Sequence, residues 1–126
     1  MNKPSNIQLD HVAIEVKDLK EALDFYLDVI GLDLLDTPES VREKGVQWIK
    51  LNERQAIHLV ENSDASPGKI SHIALEVDDV NQWKTMIEEK DVEIDPPKFN
   101  MYRAERFFVL DPSNNRIEFL KWKTIP

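Results

Sequence analysis

The chain has 126 residues, room for one domain with a real core. Apolar residues make up 41% and charged residues 32%, and 16 basic against 24 acidic side chains leave a net charge of −8. A surface of that sign repels phosphate and argues against nucleic acid as a partner. With no cysteine, disulfides and thiolate chemistry are excluded, so any metal must be held by His and carboxylate. The opening Met1-Asn2-Lys3-Pro4-Ser5-Asn6 is polar, and no stretch has the length of a signal core or a membrane span. A cytoplasmic protein without a membrane partner is expected.

Residues 7–16 alternate, with Val12, Ile14 and Val16 facing one way and His11, Ala13 and Glu15 the other. Such period-two alternation of β-branched residues predicts a half-buried strand. Asp18 followed by Glu21 is a capping-box signature, in which the Asp carboxylate accepts an early helical N–H. The helix it opens carries the apolar stripe Ala22, Leu23, Tyr26, Leu27 and Ile30, and Gly31 suits the left-handed residue that ends it. Short strands are expected near 32–36, 45–51 and 55–60, the last two joined by the polar turn Asn52-Glu53-Arg54. The first module is thus β-α-β-β-β, over residues 7–61.

Residues 62–69, Asn-Ser-Asp-Ala-Ser-Pro-Gly-Lys, read as a linker. After it the pattern restarts in a second module, 70–122. A strand at 70–77 leads to Asp79 and Gln82, a second capping box, and a helix running to about Lys90. Strands follow near 92–95 and 105–111, and the turn Asp111-Pro112-Ser113-Asn114-Asn115 opens the last strand at 115–122. Equal order in both halves means duplication of one unit. Each half is too short to bury its own sheet well, so a single domain of two modules sharing a core is expected. The loop 96–104 holds Pro96 and Pro97 and ends on Tyr102, Arg103 and Ala104. It is either a lid or clamp beside a cavity, or a surface connection. Trp48, Tyr102 and Arg103 are the candidate substrate-binding side chains.

The duplication places the chemistry-bearing residues. Shifted by 61 positions (72 − 11), Leu9-Asp10-His11-Val12-Ala13-Ile14-Glu15-Val16 lies over Ile70-Ser71-His72-Ile73-Ala74-Leu75-Glu76-Val77. With a slip of one, Ala56-Ile57-His58-Leu59-Val60 lies over Arg116-Ile117-Glu118-Phe119-Leu120. His11 meets His72, and His58 meets Glu118. Each sits mid-strand on the face turned away from the helices, so two sheets curling toward each other would bring all four into one cavity. A lone histidine on such a strand is more often a packing or surface residue. A carboxylate between Ile117 and Phe119 is harder to explain, because a buried charge costs several kcal/mol unless paired or coordinated. Imidazole with carboxylate suits Zn²⁺, Ni²⁺, Co²⁺, Fe²⁺ or Mn²⁺ and argues against the all-oxygen sites of Ca²⁺ or Mg²⁺. Glu15 and Glu76, further along the same face, either orient the ligands or are solvated at the rim.

The repeated unit, the openings Asp10-His11-Val12-Ala13-Ile14 and Ser71-His72-Ile73-Ala74-Leu75, and the ending Asp111-Pro112-Ser113-Asn114-Asn115-Arg116-Ile117-Glu118-Phe119 resemble the vicinal oxygen chelate superfamily. The resemblance spans residues 7–122. It implies an α+β fold, two tandem β-α-β-β-β modules forming a cup-shaped mixed sheet around a central cavity, commonly in a homodimer. It also implies that His11, His58, His72 and Glu118 ligate one divalent metal and that Glu118 is the catalytic carboxylate moving a proton on a small-molecule substrate. His58 stands where glyoxalase I has glutamate and methylmalonyl-CoA epimerase glutamine, a departure from both. The function implied is a metal-dependent lyase or isomerase acting on a small oxygen-bearing substrate. An Fe²⁺ extradiol dioxygenase, using His11, His72 and Glu118 as its triad, is a second possibility, although such enzymes are usually about twice this length. A non-catalytic resistance protein that binds an antibiotic, as in bleomycin resistance, is the third, against which four retained ligands argue. Ala13 replaces the hydroxylic residue of fosfomycin-resistance enzymes.

Overall fold

The structure, a computed structural model, describes residues 4–95 and 103–126. The chain divides into two compact units, 1–63 and 64–126.

In the first unit β1 (His11–Val16) leads through α1 (Leu19–Asp24) and a π-helical turn (Phe25–Val29) to β2 (Asp33–Leu34). A short α2 (Glu39–Arg42), β3 (Val46–Lys50) and β4 (Ala56–Glu61) follow. The sheet order is β1-β4-β3-β2, with β1 parallel to β4 and the other pairs antiparallel. Asp18 caps α1 as its spacing predicts: its Oδ1 accepts from the Glu21 N–H at 3.0 Å. Glu61, at the end of β4, accepts from the Leu19 N–H at 2.8 Å and so satisfies a second orphan donor of the same helix end.

The helix face expected from the sequence is altered. The Ile30 N–H donates to the Phe25 carbonyl at 3.0 Å, five residues back, so the last turn carries one residue more than an α-turn. Ala22, Phe25, Tyr26 and Ile30 are buried, whereas Leu23 and Leu27 are only half-buried. Gly31, with φ of 85°, ends the segment in the left-handed region as predicted. The α2 turn was not anticipated, although Thr37-Pro38-Glu39-Ser40 carries a helix-start signal in its proline and following glutamate.

In the second unit β5 (His72–Glu76), α3 (Val80–Glu88), β6 (Ala104–Leu110) and β7 (Arg116–Trp122) form a sheet of order β5-β7-β6, with β5 parallel to β7. Asp79 caps α3 by accepting from the Gln82 N–H at 3.0 Å. Phe119 stacks on Trp83 and on Phe107, with centroids 5.2 and 5.1 Å apart, tying α3 to the sheet. The strand expected near 92–95 is reduced to one antiparallel bridge, Asp95 to Phe108. Lys90 and Asp91 still cap the helix end through carbonyls of Ile87 and Glu88, with Asp91 in the left-handed region. Little chain is left to extend before Pro96.

The turn before β7 is built on Asp111. Its Oδ1 accepts from the N–H groups of Ser113 (2.9 Å) and Asn115 (2.8 Å), and its Oδ2 from the Asn115 side-chain amide (2.9 Å). Asn114 supplies the left-handed residue the turn needs, at φ of 69°. The start of β7, and hence the register that aims Glu118, is fixed by this turn.

Candidate functional site

In the first unit, strand register puts Ala13, His58 and Trp48 in one row across β1, β4 and β3. Three rings meet beside this row. His58 stacks on His11 with centroids 3.9 Å apart, and on Trp48 at 4.9 Å, both at 15° between planes. His11 Nδ1 lies 2.8 Å from Asp10 Oδ2. An ionised carboxylate only accepts, so Nδ1 carries the hydrogen and a neutral His11 keeps its lone pair on Nε2. Burial pushes the His58 imidazole below its ordinary value, helped by the neighbouring His11 and opposed by Asp10. His58 therefore keeps its neutral, ligand-competent form to lower pH. The three rings open onto a cleft of about 580 Å³ bordered also by Leu35, Ala56 and the β3–β4 hairpin. On that hairpin Lys50 donates to Glu53 at 2.8 Å, which raises the ammonium and lowers the carboxyl. Glu15 is a structural tie, accepting from the Asn62 side-chain amide at 2.7 Å.

The second unit repeats the row as Ala74, Glu118 and Phe108. Glu118 is buried, at 5% exposure. Its Oε1 lies 3.1 Å from His72 Nε2, and Arg106 Nη1 is 3.4 Å from its Oε2. His72 Nδ1 is 2.8 Å from the Ile70 carbonyl oxygen, which can only accept, so Nδ1 bears a hydrogen. Phe108 meets the edge of His72 at 5.7 Å. The Arg116 guanidinium lies over the Phe108 ring, 4.0 Å from its centroid, and donates to Asp95 Oδ2 at 2.9 Å.

The four expected ligands thus come together as two pairs, His11 with His58 and His72 with Glu118. Among the described residues no three His, Asp or Glu side chains gather as a metal group. Of the other expected site residues, Trp48 lies against His58. Arg103 anchors the start of β6, its carbonyl accepting from the Lys123 N–H at 2.6 Å. Tyr102 and most of the 96–104 loop lie outside the described residues. Sequence reasoning missed Arg106, Phe108, Arg116 and Asp95. The signal for Phe108 was present: the 60-position offset that joins His58 to Glu118 also joins Trp48 to Phe108.

A model of the Glyoxalase/Bleomycin resistance protein/Dioxygenase superfamily matches residues 8–119, nearly the whole chain. The chain belongs to this superfamily. Among curated relatives, the mitochondrial methylmalonyl-CoA epimerase of Dictyostelium discoideum is 34% identical, over 87% of this chain and 74% of that protein. The metallothiol transferase FosB of Staphylococcus epidermidis is 28% identical over 87% of this chain and 78% of its own. Among solved structures, a protein of Bacillus anthracis described as of the glyoxalase family superposes with a TM-score of 0.86 at 28% identity. That match covers 97% of this chain and all of that one. TnmS3, an antibiotic-binding protein from Streptomyces sp. CB03234, gives 0.75 at 25% identity over 95% and 99% of the two chains. Superfamily members of this kind carry unlike activities on one fold, so the activity of this member is argued from its site. No helix among the described residues is long and apolar enough to cross a membrane.

Proposed function

We propose that this superfamily member is a divalent-metal-dependent isomerase that moves a proton on carbon next to a substrate carbonyl. His11 and His58 are the ligand pair of its first unit, and His72 and Glu118 that of its second. One observation carries the reading. With Nδ1 of His72 committed to the Ile70 carbonyl, a neutral imidazole turns its lone pair on Nε2 toward Glu118 Oε1 at 3.1 Å. Two lone pairs at that distance repel, and either a proton on Nε2 or a cation near both atoms relieves them. His11 repeats the preparation, its Nδ1 tied to Asp10 and its Nε2 left as donor atom. Three imidazoles and a carboxylate fit a first-row divalent ion such as Zn²⁺, Ni²⁺, Co²⁺, Fe²⁺ or Mn²⁺.

Such an ion, when bound, draws electron density from a substrate carbonyl and makes the adjacent C–H more acidic. The chain's own residues supply the rest. Glu118 is the one carboxylate of the ligand set, and it takes the proton from one face of the carbon, while a proton from water returned to the opposite face inverts it. Arg106 beside Oε2 keeps that carboxylate in one orientation. His58 holds geometry and, being neutral, leaves a single carboxylate where relatives with glutamate there have two. The likeness to an epimerase at 34% identity supports an isomerase over a lyase.

The test is deuterium wash-in. Protein loaded with Co²⁺ and incubated with methylmalonyl-CoA in D₂O is expected to place deuterium at the α-carbon, and Glu118→Gln to stop it. No exchange from fully loaded protein would reject the isomerase for this acyl thioester. A second reading, a non-catalytic binder of flat molecules, is favoured by the stacked rings beside the open cleft and by the likeness to TnmS3. It predicts ligand binding without exchange.

A further inference from the structure

Past the helices the two units match at an offset of 60 (108 − 48), and one corner of the match differs in chemistry. In the first unit Leu35 pairs its N–H with the Trp48 carbonyl (2.9 Å), and Ala56 stands beside His11 in the register. In the second, Asp95 pairs its N–H with the Phe108 carbonyl (2.7 Å), and Arg116 stands beside His72. Leu35 and Ala56 are therefore replaced by Asp95 and Arg116. Around Trp48 these small and apolar side chains border the open cleft of about 580 Å³. At the matching aromatic, Phe108, a guanidinium plane lies on the ring and is pinned by its carboxylate partner.

We propose that the cleft of the first unit is a subsite for a flat part of the substrate, an aromatic or conjugated group. The Arg116–Asp95 pair is the built-in occupant of the corresponding place in the second unit. The second unit indicates the shape that fits, because the group it holds there is itself planar. Charged groups stand at the edge of the first cleft, Lys50 paired with Glu53, Asp10 beside His11 and Arg54 bonded to the Gln8 side-chain amide. Leu35, Trp48 and Ala56 instead offer apolar and ring surface, and a cleft of this volume accepts a group of drug-like size. The units thus differ in function. One receives part of the substrate, and the corresponding place in the other is taken by its own side chains. The catalytic meaning of this subsite rests on the metal-isomerase reading; its existence does not.

Binding of the neutral fluorescent probe N-phenyl-1-naphthylamine tests it, measured in excess EDTA so that metal plays no part. Wild-type protein is expected to bind one equivalent and to lose tryptophan emission as it does, a loss that Trp48→Phe removes. Ala56→Met fills the cleft without charge, and Leu35→Asp with Ala56→Arg transplants the ion pair. Each is expected to weaken binding by about tenfold or more, the scale for lost apolar contacts in a pocket. The reverse exchange, Asp95→Leu with Arg116→Ala, is expected to admit a second equivalent. No saturable binding by wild type, or unchanged binding by folded Ala56→Met protein, would overturn the subsite. A single equivalent in the reverse exchange would overturn the role given to Arg116. Failure of deuterium exchange with this binding intact would remove the isomerase and leave the subsite standing.

Discussion

His72 presents Nε2 to Glu118 Oε1 at 3.1 Å while its other nitrogen is held by the Ile70 carbonyl. The opposite carboxylate oxygen faces Arg106, and Glu118 and Arg106 are both largely buried, their side chains 7% and 11% exposed. Removing one charge from such a cluster leaves the other poorly compensated. Glu118→Gln is expected to cost about 1–3 kcal/mol in urea unfolding of the metal-free protein. Adding Arg106→Met should restore part of that loss, the sign of direct coupling. Additive losses would mean the two side chains do not interact in solution.

The π-helical turn separates two neighbouring apolar residues. Phe25 is buried at 6% exposure, whereas Leu27, on the stripe an ideal helix would bury, is half-buried. Phe25→Ala is expected to cost about 3–5 kcal/mol, and Leu27→Ala only about 1 kcal/mol. Equal losses would contradict this difference in burial.

Asp111 accepts three hydrogen bonds that shape the turn into β7. Asp111→Ala should destabilise by about 2–4 kcal/mol, since buried N–H groups of Ser113 and Asn115 lose their acceptor. Asn114→Gly should be tolerated, because its left-handed backbone is one glycine adopts without strain. A larger loss from the glycine than from the alanine would contradict this account of the turn.

His58 titrates below its ordinary value in the folded chain, mainly through burial. The unfolded chain therefore takes up the proton first, near the ordinary imidazole value of about 6.5. In the metal-free protein His58 costs nothing above that pH and destabilises the fold as pH drops through and below it. His58→Phe keeps a ring against Trp48 without the titrating group. Its stability is expected to fall less than that of the parent between pH 7.5 and 5.5. Parallel curves would show that the shift is absent.

Much of this was legible in the chain because alternation and capping act locally. Val12, Ile14 and Val16 against His11, Ala13 and Glu15 gave β1 its faces, and Asp18 and Asp79 gave both helices their starts. The repeat paired His11 with His72 and His58 with Glu118 before any coordinates. The π turn was hidden because no proline or glycine marks residues 25–30. The shortened strand at Asp95 was hidden because one bridge leaves no periodicity. Arg106 and Arg116 carry no signal of their own in the sequence, and the β6–β7 register puts them on the face of Glu118 and Phe108.

Metal titration followed by the visible spectrum of Co²⁺ tests the ligand assignment most directly. Wild-type protein, purified without an affinity tag and stripped with chelator, is expected to bind Co²⁺ with d–d bands that report nitrogen and oxygen ligands. His11→Ala, His58→Ala, His72→Ala and Glu118→Gln should each weaken binding by about tenfold or more and alter the bands, since each removes a first-row metal ligand. Unchanged affinity and spectrum in all four folded variants would contradict the assignment of these residues as the metal ligands.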